Sequence, residues 1–491
     1  MRTNTLAEKV TSLSRYSEAP MLDVLERQRQ AFTREGRVTT SVRIDRLRRA
    51  YTMIGNNQQA IIDACNSDFG NHSSHQAQMS EVMTVMDGMQ ESIKHVARWM
   101  SEEKRRVMFP LNLFGAKARV EYQPKGVVGN ISTWNFPVYT SILPLAGIFA
   151  AGNRAMIKFS EHTPATGELL QRLIKENFDD EECAGITGGP DIAAQFAALP
   201  LDHIIFTGGT NIGRKVMQAA ANNLTPVTLE LGGKSPVIVG RSYDIEKAAR
   251  RVMTGKALNM GQACLAPDYC LVPEESKDTF IAEATRFFST LFPSVVDNDD
   301  YTSVINARHF QRLSQMIDDA RSKGADVRQI NPAGDDLSQQ AEGLHKLPMT
   351  LIIDPDDDAL AMQEELFGPV LCIKSYARID DCIDYINARP RPLGLYYFGN
   401  DKVEMQRVLD ETISGGVSVN NVAMHVACDD LPFGGTGHSG LGNYRGHDGF
   451  RTFSHARAVY REGFVDMAKL AGTLPPYGQK IAKMLESQIK K

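Results

Sequence analysis

From about Ala118 onward, short apolar runs alternate with helix-like segments, and this alternation constrains the fold more than any other feature of the chain. The runs are AMIKF (155–159), HIIF (203–206), VTLEL (227–231), PVIVG (236–240), YCLVP (269–273), MTLII (349–353) and VLCIKSY (370–376). Runs of this length and composition read as strands buried on both faces. Amphipathic stretches such as Asn211–Asn222 separate several of them, which predicts βαβ units, a parallel sheet and an α/β fold class. ARVEYQPKGVVGNIS (118–132) also suggests strands. Residues 20 to about 105 read instead as helices. There Ile44, Leu47, Tyr51 and Ile54 recur at helical spacing, and so do Met83, Met86, Met89 and Ile93. The methionine stripe is expected to be packed core, because Met fills irregular gaps, with a cofactor lining as the alternative.

At 491 residues the chain has room for two or three domains. Its net charge of −5 argues against a binder of nucleic acid held by phosphate contacts. Seven scattered cysteines with no CxxC pair fit reduced thiols in the cytoplasm better than disulfides or zinc, and no metal site is expected. The first twenty residues lack the apolar core of a secretory signal. The apolar stretch Pro137–Gly152 is interrupted by Pro144 and Gly147 and is too short to span a bilayer, so it reads as a buried helix. The acidic runs DNDD (297–300) and DPDDD (354–358) are solvated loops, without the spacing of a calcium site.

Several positions suggest chemistry. In DHIIFTGGTNIG a buried strand meets Gly208, Gly209 and Gly213 at the opening of a helix. Glycines there let backbone approach a phosphate, and the helix N-terminus adds N–H groups. An ordinary tight turn explains the pattern as well. GGKS (232–235) fails as a Walker loop, because the required leading glycine is Thr228, and it reads as a turn between strands. Cys264 lies in NMGQACLAPDYCLV. A lone cysteine is more often a small buried hydrophobe than a nucleophile, though Gly and Gln nearby suggest a turn that could present a thiol. Glu230 interrupts the apolar strand PVTLELGG. A carboxylate in such a strand has either a task or an edge position facing water, and the apolar flanks favour the task. Asn135, before Pro137, could donate to an oxyanion or cap a helix.

Taken in order, seven stretches resemble the aldehyde dehydrogenase superfamily over nearly the whole length. They are WNFP (134–137), IKFSE (157–161), FTGGT (206–210), LELGGK (229–234), GQAC (261–264), EELFGP (364–369) and LPFGGTGHSG (431–440). LAPDYCLV, SGGVSVNN and NYRGHDGFRTFSH resemble the class 3 branch, and TPVTLELGGKSPVIV with DNDDYTSVINARHF is similar to the bacterial coniferyl aldehyde dehydrogenases. The resemblance implies NAD(P)-dependent oxidation of an aldehyde, an aromatic one such as coniferyl aldehyde, to the acid. Cys264 would be the nucleophile, Asn135 and the Cys264 N–H would hold the oxyanion, and Glu230 would activate water against the thioester. Lys158 and Glu161 would bind the adenosine ribose, Glu365 and Phe367 the nicotinamide end, and Gly208, Gly209 and Gly213 the pyrophosphate, with Trp134 nearby. The charge of Glu161 favours NAD, with NADP possible. Phe159 stands where the family has proline, and Gly209 where relatives carry Ser or Asn.

The implied fold has a Rossmann-like NAD-binding domain (1–117 and 138–231), an α/β catalytic domain (232–418) and a small β arm for oligomerisation (118–137 and 419–458). A tail follows at 459–491. A homodimer is expected through the arm, with no stable membrane anchor. KIAKMLESQIKK, at the C-terminus, reads as a short basic amphipathic helix. Oxidation of medium- or long-chain fatty aldehydes is the alternative. A CoA-acylating enzyme is disfavoured by Glu230, and a catalytically silent protein on this fold by the joint presence of Cys264, Glu230 and Asn135.

Overall fold

The computed structural model describes residues 18–341 and 343–489. The expectation about a secretory signal falls largely on residues 1–17 and lies outside the described residues, as do the last two lysines of the tail.

Three sheets organise the chain. The first has six strands in the order Gly440–Leu441, Val227–Leu231, His203–Gly208, Val127–Ile131, Arg154–Lys158, Cys183–Ile186. All its neighbours are parallel except the first pair. The second has seven, in the order Asp326–Ile330, Met349–Ile353, Val370–Tyr376, Tyr269–Pro273, Pro236–Val239, Gly394–Phe398, Gly416–Val419. Here too only the first pair is antiparallel. The third is an antiparallel sheet of Glu103–Arg105, Lys117–Pro124 and Ser454–Arg461. The parallel strands are mostly apolar and buried because helices cover both faces of their sheets.

All seven apolar runs form strands, VTLEL, YCLVP, MTLII and VLCIKSY with the expected boundaries. Pro137–Gly152 is buried but forms two helices, Pro137–Ile142 and Pro144–Ala150, because Pro144 cannot donate into the first. GGKS is not a turn but a link that carries the chain from Val227–Leu231 in the six-stranded sheet to Pro236–Val239 in the seven-stranded one. Several expectations need correction. Gly440–Leu441, assigned to the arm, pairs with Val227–Leu231 in the six-stranded sheet, and Glu103–Arg105, assigned to the first domain and read as helical, is a strand of the three-stranded sheet. Val127–Ile131, assigned to the arm, lies in the middle of the six-stranded sheet, paired to Arg154–Lys158 and His203–Gly208. The bend at Lys125–Gly126 separates it from Lys117–Pro124, which does lie in the three-stranded sheet. The methionine stripe is buried at Met89, yet Met83 is 52% exposed. The cause is a π-helical turn at Gln78–Met83, whose extra residue rotates the apolar face.

Phe159 also has a physical role. Its ring is buried, and a Cβ at Gly185 would come within 2.8 Å of it, so the ring occupies the space the glycine leaves. Its N–H donates to the Ile186 carbonyl at 2.9 Å, a bond proline could not make. No helix among the described residues is long and apolar enough to cross a membrane. Gln479–Ile489 forms the expected tail helix and buries none of its residues.

Candidate active site

The six-stranded sheet changes direction between Val127–Ile131 and His203–Gly208. Arg154–Lys158 and Cys183–Ile186 add on one side, Val227–Leu231 on the other. Connections leaving the C-terminal ends of two such strands diverge to opposite faces and leave a crevice. Trp134 and Asn135 follow the first of these strands, and Gly208 and Gly209 end the second. A cavity of about 790 Å³ lies there, bordered by the loops of the second sheet.

Cys264, Glu230 and Asn135 all line this cavity. Trp134, Gly208, Gly209, Glu365 and Phe367 also form part of its wall. Lys158, Glu161 and Gly213 do not. Lys158 is buried at the end of its strand, donates to the Phe159 carbonyl at 2.6 Å and stands 3.5 Å from the Glu161 carboxylate. Gly213 lies one turn into the helix Thr210–Ala221, where a Cβ would come within 2.5 Å of Leu231 Cδ2, so it lets helix and sheet approach. Cys270 points away from the cavity, into the core of the seven-stranded sheet.

The loop carrying Cys264 is held in an unusual backbone. Asn259, Met260 and Gly261 take φ of +49°, +48° and +72° in succession. Left-handed non-glycine residues cost on the order of 1–3 kcal/mol each and persist only where the surroundings impose them. Here Asn259 Nδ2 donates to the Asn135 carbonyl at 2.8 Å, and Gln262 Nε2 donates to the carbonyls of Asn259 (3.1 Å) and Ser303 (2.9 Å). Gln262 Oε1 accepts from Ile305 N–H at 3.0 Å. Asn135 Nδ2 in turn donates to the Gln262 carbonyl at 3.1 Å, which fixes the amide and leaves its second hydrogen for a ligand. The Cys264 loop and the Asn135 turn are thus one hydrogen-bonded unit. A Cβ at Gly261 would lie 2.3 Å from the Gly368 carbonyl oxygen. Gly261→Ala is therefore expected to cost about 2–3 kcal/mol, measured as a lower denaturation midpoint. An unchanged midpoint would refute this steric demand.

The electrostatics set three groups apart. Burial raises the Cys264 thiol to about 12, with the Glu365 and Glu230 carboxylates adding to the rise and backbone N–H groups of Cys264 and Leu265 opposing it. Glu230 is 2% exposed, and neither of its carboxylate oxygens has a partner among the described residues. Burial holds it well above the usual carboxylate range. Its strand is not an edge: Glu230 faces Thr207 on one side and Gly440 on the other. Burial and then the charge of Asp268 push Glu365 to about 8, against a hydrogen bond from the Gly233 N–H. Glu365 Oε1 has no partner, and a Cβ at Gly232 would fall 1.9 Å from Oε2, so Gly232 makes room for this carboxylate.

The Glu365 segment is pinned from both sides of its backbone, and one of the pins, Arg312, lines the cavity. Lys234 donates to the carbonyls of Ala361 (2.7 Å) and Glu364 (2.8 Å) and pairs with Asp268. Arg312 donates to the carbonyls of Glu365 (2.9 Å) and Leu366 (2.7 Å), and Asp268 accepts from Leu366 N–H at 2.9 Å. Phe367, at φ +49°, sets its ring 5.3 Å from Trp134, edge to face. Sequence reasoning missed Lys234, Asp268, Arg312, Gln262 and Asn259 as supports. Lys234, Gln262, Asn259 and Asp268 stood inside quoted motifs, and Arg312 carries no local signal.

These features fit a dinucleotide. Gly209 precedes the helix Thr210–Ala221 with nothing within 4 Å of its would-be Cβ, and Glu365 offers a free oxygen beside the Phe367 ring. Among the described residues no group of three or more His, Cys, Asp or Glu could hold a metal ion.

The aldehyde dehydrogenase family profile matches residues 3–459. The chain is 51% identical over 475 residues to a probable coniferyl aldehyde dehydrogenase of Caulobacter vibrioides, covering 96% of this chain and 98% of that one. It is also 51% identical over 461 residues to a coniferyl aldehyde dehydrogenase of a Pseudomonas species, covering 94% of each. Among solved structures, the substrate-bound state of Staphylococcus aureus AldH superposes with a TM-score of 0.87 at 33% identity, over 95% of this chain and 99% of that one.

Proposed function

The chain belongs to the aldehyde dehydrogenase family, whose members oxidise aldehydes with NAD or NADP, and we propose that it converts an aromatic aldehyde, coniferyl aldehyde foremost, to the carboxylic acid with NAD preferred. The observation that carries this reading is the convergence of Cys264, Glu230 and Asn135 on one cavity whose remaining walls include Phe136, Tyr139, Phe433 and Tyr444. Aromatic walls suit a flat conjugated substrate, because rings pack edge to face or offset at little entropic cost.

In this mechanism the Cys264 thiolate adds to the carbonyl carbon, forming a C–S bond. The Asn135 amide and the Cys264 N–H donate to the resulting oxyanion. When bound, the nicotinamide cofactor supplies the hydride acceptor. The acyl group is then left on Cys264 as a thioester. The Glu230 carboxylate takes a proton from water while that water's oxygen attacks the acyl carbon. The C–S bond breaks, the acid departs and Cys264 is restored. The lack of any hydrogen-bond partner on Glu230 supports its role as base, because its oxygens are free to accept from water.

For the cofactor, Lys158 and Glu161 would hold the adenosine ribose, and Glu365 the nicotinamide ribose. Phe367 would back the ring beside Trp134. Gly208, Gly209 and Gly213 would admit the pyrophosphate to the N-terminus of Thr210–Ala221. The negative charge of Glu161 opposes a 2′-phosphate, which is the ground for preferring NAD. We read the six-stranded sheet as the cofactor unit, the seven-stranded sheet as the catalytic unit, and the three-stranded sheet as the arm. Ser454–Arg461 is an edge strand of that arm with mostly exposed residues, and such an edge supports pairing with a second copy in a homodimer. Seven unpaired cysteines suit a reducing, cytoplasmic setting.

The test is a panel of coniferaldehyde, benzaldehyde and C8–C12 alkanals with NAD and NADP, followed by absorbance of the reduced cofactor. Coniferaldehyde with NAD is expected to give the highest kcat/KM. A wide margin for the alkanals would replace the aromatic reading with a fatty-aldehyde one.

A further inference from the structure

One corner of the aldehyde cavity holds polar groups that the oxidation mechanism does not use. Tyr139 stands one helical turn beyond Asn135, in the helix Pro137–Ile142, and lines the cavity. Its hydroxyl is buried. Arg445 does not line the cavity; it is 7% exposed and spends one guanidinium nitrogen on Asp429. Its guanidinium also stands as a hydrogen-bond partner of the Tyr139 hydroxyl. Arg445 exerts the largest charge effect on the Tyr139 phenol, whose acidity burial weakens and Arg445 partly restores. With Tyr139 Oη accepting from Arg445, the phenolic O–H is left to donate into the cavity.

This corner is also built rather than incidental. Arg445 takes φ +108°, a left-handed backbone that a side-chain-bearing residue adopts only under constraint. The preceding Tyr444 is locked to Phe433 by two backbone bonds, N–H to carbonyl, of 2.8 and 3.1 Å. Those two rings meet edge to face at 5.9 Å, and Phe136 and Tyr139 meet in the same way at 6.4 Å. Two aromatic pairs thus frame a slot with an unmet O–H donor at Tyr139, backed by Arg445. Buried donors left unmet are costly, and groups so placed are commonly completed by a ligand.

We propose that Tyr139, with Arg445 behind it, is the specificity determinant for a hydrogen-bonding oxygen on the substrate's aromatic ring, so that the enzyme selects ring-hydroxylated aldehydes over unsubstituted ones. This rests on the aromatic-aldehyde reading above. The phenol of a conjugated hydroxyaldehyde is acidified by the carbonyl through the π-system, and its phenolate form is a strong, charge-assisted acceptor for the Tyr139 O–H. A saturated alkanal could fill the slot but would leave the Tyr139 O–H unpaired, and a site built on hydrogen bonding rejects an analogue that cannot make the bond.

The experiment compares kcat/KM for 4-hydroxycinnamaldehyde and for cinnamaldehyde in the full chain, wild type and Tyr139→Phe. The wild type is expected to favour the hydroxylated aldehyde by about tenfold or more, and Tyr139→Phe to collapse that ratio by about tenfold. Merely structural damage would lower both substrates together and leave the ratio intact. A preserved ratio in Tyr139→Phe, or a wild type indifferent to the hydroxyl, would overturn the proposal while leaving aromatic-aldehyde oxidation standing. A wild type that oxidises alkanals far better than either aldehyde would instead remove the aromatic reading itself, and the proposal with it.

Discussion

Replacement of Cys264 by Ser is expected to lower kcat/KM for aldehyde-dependent NAD reduction by at least about 10³-fold. Sulfur is needed both to add to the carbonyl and to leave from the thioester, and a serine hydroxyl is far harder to ionise than a thiol and a much poorer leaving group. The change is nearly isosteric, so the denaturation midpoint should move little while activity disappears. Undiminished NAD reduction by the variant would sink the proposed mechanism. The pH profile of the wild type follows from the same residue. Because burial and two carboxylates raise the thiol to about 12, the reactive thiolate is scarce at neutral pH. The kcat/KM profile should therefore rise with pH from neutrality, approaching tenfold per unit on its acid limb. A flat profile between pH 7 and 9 would mean that substrate or cofactor binding lowers the thiol far below its resting value.

The second large effect concerns Glu230→Gln. Acylation does not need this carboxylate, but hydrolysis does. A rapid burst of about one reduced cofactor per active site is expected, followed by turnover slowed about 10²–10⁴-fold. Intact-mass measurement during that slow phase should show the acyl group retained on Cys264. Slow turnover with neither burst nor acyl adduct would place Glu230 before the thioester rather than after it.

Much of the fold could be read locally. Runs such as YCLVP and MTLII are apolar on both faces, and that pattern has few solutions other than a covered parallel strand. Cys183–Ile186, Gly394–Phe398 and Gly416–Val419 went unrecognised. Each contains glycine, which weakens the strand signal, and each becomes a strand because its neighbours supply the hydrogen bonds. The phase of the methionine helix was misread at Met83 because a π-turn is a one-residue insertion that periodicity does not reveal.

The α/β class, the parallel strands and the motifs around Cys264, Glu230 and Asn135 are legible locally, because they depend on neighbours a few residues apart, where propensity and pattern act directly. Which side chains meet, and in what electrical state, is set by the packing. Glu230 could have faced water from an edge strand until Gly440–Leu441 paired beside it and left its carboxylate buried without a partner. Gly232 could have been any turn residue until Glu365 came to rest where its Cβ would be. Burial and protonation depend on water being excluded by groups distant along the chain. Local sequence does not carry that information.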